Sequence, residues 1–75
     1  MNTHFKIEGE YIELMALLKA LGIAETGGHA KHIVDSGIVY RNGSIETRRR
    51  AKLIKGDKIL VNEKFQRDDG NLIMN

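Results

Sequence analysis

Near residue 38 the hydrophobic period of this 75-residue chain changes from helical to alternating, and that switch restricts the fold more than any other feature. Before it, Leu14, Leu17, Leu18 and Leu21 recur at i, i+3, i+4 and i+7, the spacing that lines up apolar side chains on one stripe of a helix within "IELMALLKALGI". Gly22 is its expected stop. A second, shorter helix is predicted in "AETGGHAKHIVDSG", with Thr26 as N-cap, Ala30, Ile33 and Val34 as the buried stripe and Gly37 at its end. After the switch, "IVYRNGSIET" alternates around Asn42-Gly43, a pair suited to a tight hairpin because both central residues of a type I′ turn need positive φ.

The remaining elements are short. "HFKIEGE", with Phe5 and Ile7 alternating, reads as a strand that joins the sheet and ends at Gly9. Lys55-Gly56-Asp57 marks a turn, with Leu53 and Ile54 before it expected to anchor their loop in the core. "KILVNEKFQ" reads as a strand turning at Asn62 and Glu63 into another. "RDDGN" is a last turn, and "LIM" a strand or docked tail. The fold class is α+β: two packed helices, then a β-hairpin and further short strands in a small, mostly antiparallel sheet. One domain over residues 1–75 is expected, because a chain this short has room for a single core. No cysteine is available for a disulfide or thiolate staple, so apolar packing must hold it together.

Charge narrows the function. The net value of +2 conceals a division: residues 26–61 hold eight Lys and Arg against three acids, whereas residues 1–25 hold two against four. A basic centre of this kind suits a surface that meets a polyanion. Six of its cations fall within "SIETRRRAKLIKGDK", directly after the hairpin. Arginine forks match phosphate oxygens, and clustered cations gain from counterion release. Cations on strand edges also discourage edge pairing, which accounts for one or two of them. Lys31 and Arg41 flank the same surface, and Tyr40 is an exposed aromatic candidate for stacking on a base.

Gly27 and Gly28 open the second helix, where unpaired N–H groups and the positive dipole end favour a phosphate and the missing Cβ lets it approach. A bend between the helices, or tight packing of one on the other, would equally call for glycine. The spacing is not that of a nucleotide P-loop. His29 and His32 lie three apart but lack a third ligand, so they read as a surface pair and not as a metal site. No nucleophile and base, paired carboxylates or cofactor fingerprint emerges, so a binding module is expected, without cofactor or metal and not an enzyme. "MNTHFKIEGE" carries no signal-peptide pattern and no apolar run approaches a membrane span, so a cytoplasmic protein, monomeric when free and independent of membranes, is expected.

The run from Leu14 to Ile59 resembles the RNA-binding domain named after ribosomal protein S-four, more narrowly its small stand-alone bacterial members, which share the alpha-L motif of two helices followed by a hairpin. The shared pieces are "GG-x-AK" (Gly27, Gly28, Ala30, Lys31), "V-x-V-N-G" (Val39, Asn42, Gly43), "E-x-R-R" (Glu46, Arg48, Arg49) and "K-L-x-x-G-D" (Lys52, Leu53, Gly56, Asp57). They keep order and spacing over roughly two thirds of the chain, with a family-like core at about 13–61. The resemblance implies binding to structured RNA, ribosomal or transfer RNA, through Gly27, Gly28 and Lys31 at the second helix and Arg48, Arg49 and Lys52 after the hairpin. Departures lie at Tyr11, Ile12 and Glu13, where the family often has an arginine followed by an acid, at Arg41, usually apolar, and at Arg50, often small. Residue reading and resemblance together nominate Gly27, Gly28, Lys31, Tyr40, Arg41, Arg48, Arg49, Arg50 and Lys52. The alternative is a protein-interaction adaptor that presents the basic face to an acidic partner. If RNA docks on these basic side chains, reversing Arg48 and Arg49 to Glu should abolish RNA binding and leave thermal stability nearly unchanged.

Overall fold

The change of period marks the place where two helices give way to the main sheet. The computed structural model describes residues 3–62 and 72–75. In chain order the elements are β1 (Thr3–Phe5), β2 (Ile12–Glu13), α1 (Leu14–Ala20), α2 (Gly27–Asp35), β3 (Val39–Arg41), β4 (Ser44–Ile45), β5 (Lys52–Leu53), β6 (Lys58–Val61) and β7 (Leu72–Met74). Five strands form one sheet in the order β1-β7-β6-β3-β4, while β2 and β5 form a separate two-stranded ribbon. Pairing is antiparallel except between β1 and β7. The α+β reading therefore holds, and the N-terminal strand does join the sheet.

Each helix is set by its cap and its stripe. In α2, Thr26 is extended and its Oγ1 accepts the His29 N–H at 3.1 Å. The His29 ring answers, its Nδ1 accepting the N–H of Glu25, the residue before the cap, at 3.2 Å, so one first-turn donor and the N–H entering the helix are satisfied by a variant of the capping box. Ala30, Ile33 and Val34 are buried as expected. In α1 the stripe is shorter than predicted. Leu14, Leu17 and Leu18 are fully buried, but Leu21 is the C-cap and stands 37% exposed. The reason is local: Gly22, at φ +75°, turns the chain out of the helix directly after it. At the other end, Ile12 and Glu13 are strand and not helix, because their backbone pairs with Leu53 and Lys52.

The helix pair packs its buried leucines and α2 stripe on one face of the main sheet, contributed by Val39, Ile59 and Met74, with Ala51 and Leu53 at the margin. Truncating a fully buried leucine such as Leu17 to alanine would cost about 2–5 kcal/mol. Ile7 is buried beyond the end of β1, its N–H donating to the Asn75 carbonyl at 2.8 Å. Ile54, by contrast, is 51% exposed, so of the expected pair only Leu53 anchors that loop, with Ala51 beside it. Alternation explains this, since neighbouring strand residues face opposite sides. The Asn42-Gly43 turn has the φ values of a type I′ hairpin, +52° and +88°. The strand and turn expected over 63–71 lie outside the described residues.

Candidate nucleic-acid interface

The loop between β4 and β5 carries the three consecutive arginines, and it is fastened at both ends. At its start the Glu46 N–H donates to the Val39 carbonyl at 2.8 Å, extending the hairpin ladder. The Glu46 carboxylate, on a residue only 7% exposed, then takes the Arg48 N–H and Nε at Oε2 (3.2 and 3.1 Å) and Arg48 Nη2 at Oε1 (3.2 Å). At its end the loop caps a helix. The Leu14 and Met15 N–H groups, in the first turn of α1, donate to the carbonyls of Ala51 and Arg49 at 2.9 and 3.3 Å. The N-cap Glu13 offers no side-chain hydrogen bond, so the basic loop supplies the acceptors that α1 lacks.

Among the described residues every ion pair is made by an arginine. Arg48 grips Glu46 within the loop. Arg49 reaches the far end of α2, with Nε 3.1 Å from Asp35 Oδ1 and Nη2 3.3 Å from Oδ2. Arg50 reaches the start of α1, with Nε 2.9 Å from Glu13 Oε2. The run of three arginines thus fans out to three separate acids, one in its own loop, one at the end of α2 and one at the N-cap of α1, each guanidinium oriented by one carboxylate and still exposed to solvent. The hydrogen bond from the Arg48 side chain, working against the cost of burial, holds the Glu46 carboxyl below its ordinary range, and the same bond raises the Arg48 guanidinium.

Arg41 is placed differently. Its Nε and Nη2 donate to Asp57 Oδ2 at 3.2 and 2.8 Å, Nη2 also donates to the Lys52 carbonyl at 2.9 Å, and Nη1 lies 3.5 Å from Glu46 Oε1. Asp57 also accepts the Ile54 N–H at Oδ2 (2.8 Å) and the Asn42 side-chain amide at Oδ1 (3.0 Å). Burial pushes the Asp57 carboxyl up, but the Ile54 N–H, the Asn42 amide and Arg41 outweigh it and hold the group below its ordinary value. This hub ties the hairpin turn to the turn before β6. Arg41 therefore serves as a brace whose fork is already occupied. Tyr40 is half-buried within the main sheet, paired with Ile45 on β4 and Leu60 on β6.

The other nominated residues come together. A cleft of about 480 Å³ runs between the helix pair and the arginine loop, bordered by Gly27, Gly28 and Lys31 on α2, Lys19 on α1, and Arg49 and Arg50. Met15 and Ala16 form its apolar floor. A second cleft of about 400 Å³ lies on the other side of Arg50, lined also by Arg41, Arg48, Ala51 and Lys52. Among the described residues Lys19, Lys31 and Lys52 pair with no carboxylate.

The glycines at the cleft lack a structural cause. A Cβ on Gly27 would meet nothing within 4 Å, and one on Gly28 would meet only Thr26 Oγ1 at 3.9 Å, an ordinary contact. Neither has a positive φ, so neither is needed for a bend or for close helix packing. What the missing methyls leave is open space at the first turn, where the His29 N–H is taken by Thr26 Oγ1.

Sequence reasoning missed Lys19, Tyr11 and the orienting acids. Lys19 follows Met15 by one turn, a spacing that places both on one helix face. Tyr11 is 43% exposed beside Lys52, whose Nζ lies 5.0 Å from the ring centroid. Of the acids, only Glu46 left a local signal, two residues before Arg48. Asp35 and Glu13 are brought in by tertiary contact.

Fold and site together define a small α+β module: a helix pair and a hairpin, with the loop after the hairpin bordering a cleft that gathers Lys19, Lys31, Arg49 and Arg50 around one acid, Glu13. The chain belongs to the S4 domain family, whose profile matches residues 5–66. It is 39% identical over 49 residues to YbcJ of Escherichia coli strain K12, a protein named as a candidate RNA-binding protein; the match covers 65% of this chain and 70% of that one. The YbcJ protein of Shigella flexneri matches to the same extent and carries no functional name. Among the described residues no helix is long and apolar enough to cross a membrane.

Proposed function

We propose that this protein is a non-catalytic RNA-binding protein that docks on structured RNA, ribosomal or transfer RNA, through the cleft between the start of α2 and the arginine loop. The observation that carries the reading is that two segments distant in sequence, Gly27, Gly28 and Lys31 on α2 and Arg49 and Arg50 on the loop, border one cleft. On its rim lie lysines without carboxylate partners among the described residues, and glycines whose added Cβ would meet no close contact. Membership of the S4 domain family and the name of the E. coli relative support RNA as the polyanion. The phosphate backbone would lie along the cleft, with first-turn N–H groups of α2 and Lys31 on one side and Arg49 and Arg50 on the other. Such contacts recognise shape and charge, and carry little sequence information.

The test is a salt titration of binding to transfer RNA and to ribosomal RNA fragments. With about five cations on phosphates, log affinity should fall against log salt with a slope of about −3.5 to −4.5. Lys31→Glu should weaken binding and flatten that slope. It is a cleaner probe than reversal of Arg48, which would set a second carboxylate against buried Glu46 and destabilise the loop. Binding that ignores salt, or a Lys31→Glu protein that binds as tightly as the parent, would sink the reading.

A further inference from the structure

The ribbon of β2 and β5 turns Ile12 and Leu53 toward the core, with Leu53 fully buried. Alternation then puts Tyr11, Glu13, Lys52 and Ile54 on the outward side. Tyr11 and Ile54 are 43% and 51% exposed, the Lys52 ammonium lies 5.0 Å from the Tyr11 ring centroid, and Glu13 holds Arg50 at 2.9 Å. Lys52 and Arg50 also border the second cleft. An exposed aromatic ring thus stands next to Lys52, which pairs with no carboxylate among the described residues, and Arg50 borders the same cleft as Lys52.

We infer that this outward face is a nucleotide site, where an unpaired base of the RNA stacks on Tyr11 and the adjoining phosphate is held between Lys52 and Arg50. The proposal rests on the RNA-binding reading above and adds the class of RNA: a helix that carries a single-stranded flank. A stacked base needs an accessible ring and a phosphate needs an unpaired cation; Tyr11 is 43% exposed, and Lys52, without a carboxylate partner among the described residues, lies over one face of its ring, leaving the base to take the other. Tyr40, the other tyrosine, is half-buried between Ile45 and Leu60 in the main sheet, and among the described residues the cation over a tyrosine ring is at Tyr11. Because Arg50 borders both clefts, a strand leaving the first would pass into the second, where it meets Lys52, the cation that lies against Tyr11.

The experiment compares an RNA hairpin with a blunt stem and the same hairpin with a short adenosine overhang, one overhang base being 2-aminopurine. The parent protein should prefer the overhang about tenfold and quench the 2-aminopurine, as stacking on an aromatic does. Tyr11→Ala should lose both the preference and the quench while binding the blunt hairpin like the parent, which shows that it is folded. Tyr11→Phe should keep them. Parent protein that binds both hairpins equally would overturn this site and leave RNA binding standing. Tyr11→Ala that retains the preference, or weakens both hairpins alike, would also overturn it. Parent protein that binds neither hairpin would remove the RNA-binding reading and this site with it.

Discussion

Arg41 Nη2 stands 2.8 Å from Asp57 Oδ2, a part-buried pair between residues 16 apart in the chain. Four donors converge on that one carboxylate from Arg41, Asn42 and Ile54. Asp57→Ala would strand a mostly buried guanidinium and leave the Asn42 amide and Ile54 N–H without their acceptor. The expected loss is about 2–4 kcal/mol, read as a lower urea midpoint with unchanged slope. A loss below 0.5 kcal/mol would show that the hub contributes little.

Acid should unfold the protein through the same network. The folded-state values of Glu46 and Asp57 lie below their ordinary 4.5 and 3.8, so the unfolded chain binds protons first as pH falls. Their contribution is fully present above about pH 5 and is lost as pH falls through the lowered folded values. Urea unfolding between pH 7 and 3 should give a plateau and then a decline, with the Glu46 part of the decline reduced in Arg48→Ala. A curve still rising toward pH 3 would contradict this.

Gly27 and Gly28 allow stability and binding to be separated. Alanine at either position has space and an allowed backbone, so each substitution should stabilise α2 by about 0.5–1 kcal/mol, raising Tm by a few degrees. RNA affinity should move the opposite way, because the new methyl stands over the first-turn N–H groups. Alanine variants that gain stability and lose no affinity would mean that RNA does not approach the helix there.

The acids that orient the arginines also compete with phosphate. Asp35→Asn and Glu13→Gln remove the partners of Arg49 and Arg50, pairs with at least one well-exposed member and worth little to the fold. Each should raise RNA affinity about two- to fivefold at low salt and change stability by less than about 1 kcal/mol. Weaker binding in these variants would assign the acids an essential positioning role instead.

Much of the architecture was legible because it depends on local chemistry. Thr26 caps α2, Asn42-Gly43 makes the hairpin, and Ala30, Ile33 and Val34 are buried, all as spacing and turn residues require. Leu21 and Ile54 escaped, since apolar character says nothing about a glycine turn or a two-residue ribbon that reverses a side chain's direction. The basic loop was legible as charge, but its division of labour was not. Arg41, Arg48, Arg49 and Arg50 look alike in a sequence, and only the folded chain sends one to the Asp57 hub, one to Glu46 and two to the helices.

The sequence by itself determined the fold class, the order of the elements and the presence of a basic centre, because periodicity, turn dipeptides and net charge act over a few residues. Only the tertiary structure decided which cations remain without a carboxylate, that Gly27 and Gly28 face open space, and that Tyr11 and not Tyr40 stands beside Lys52. The physical reason is that ion pairing and steric openness depend on distances between residues far apart in the chain, such as the 37 positions between Glu13 and Arg50. Folding alone sets those distances.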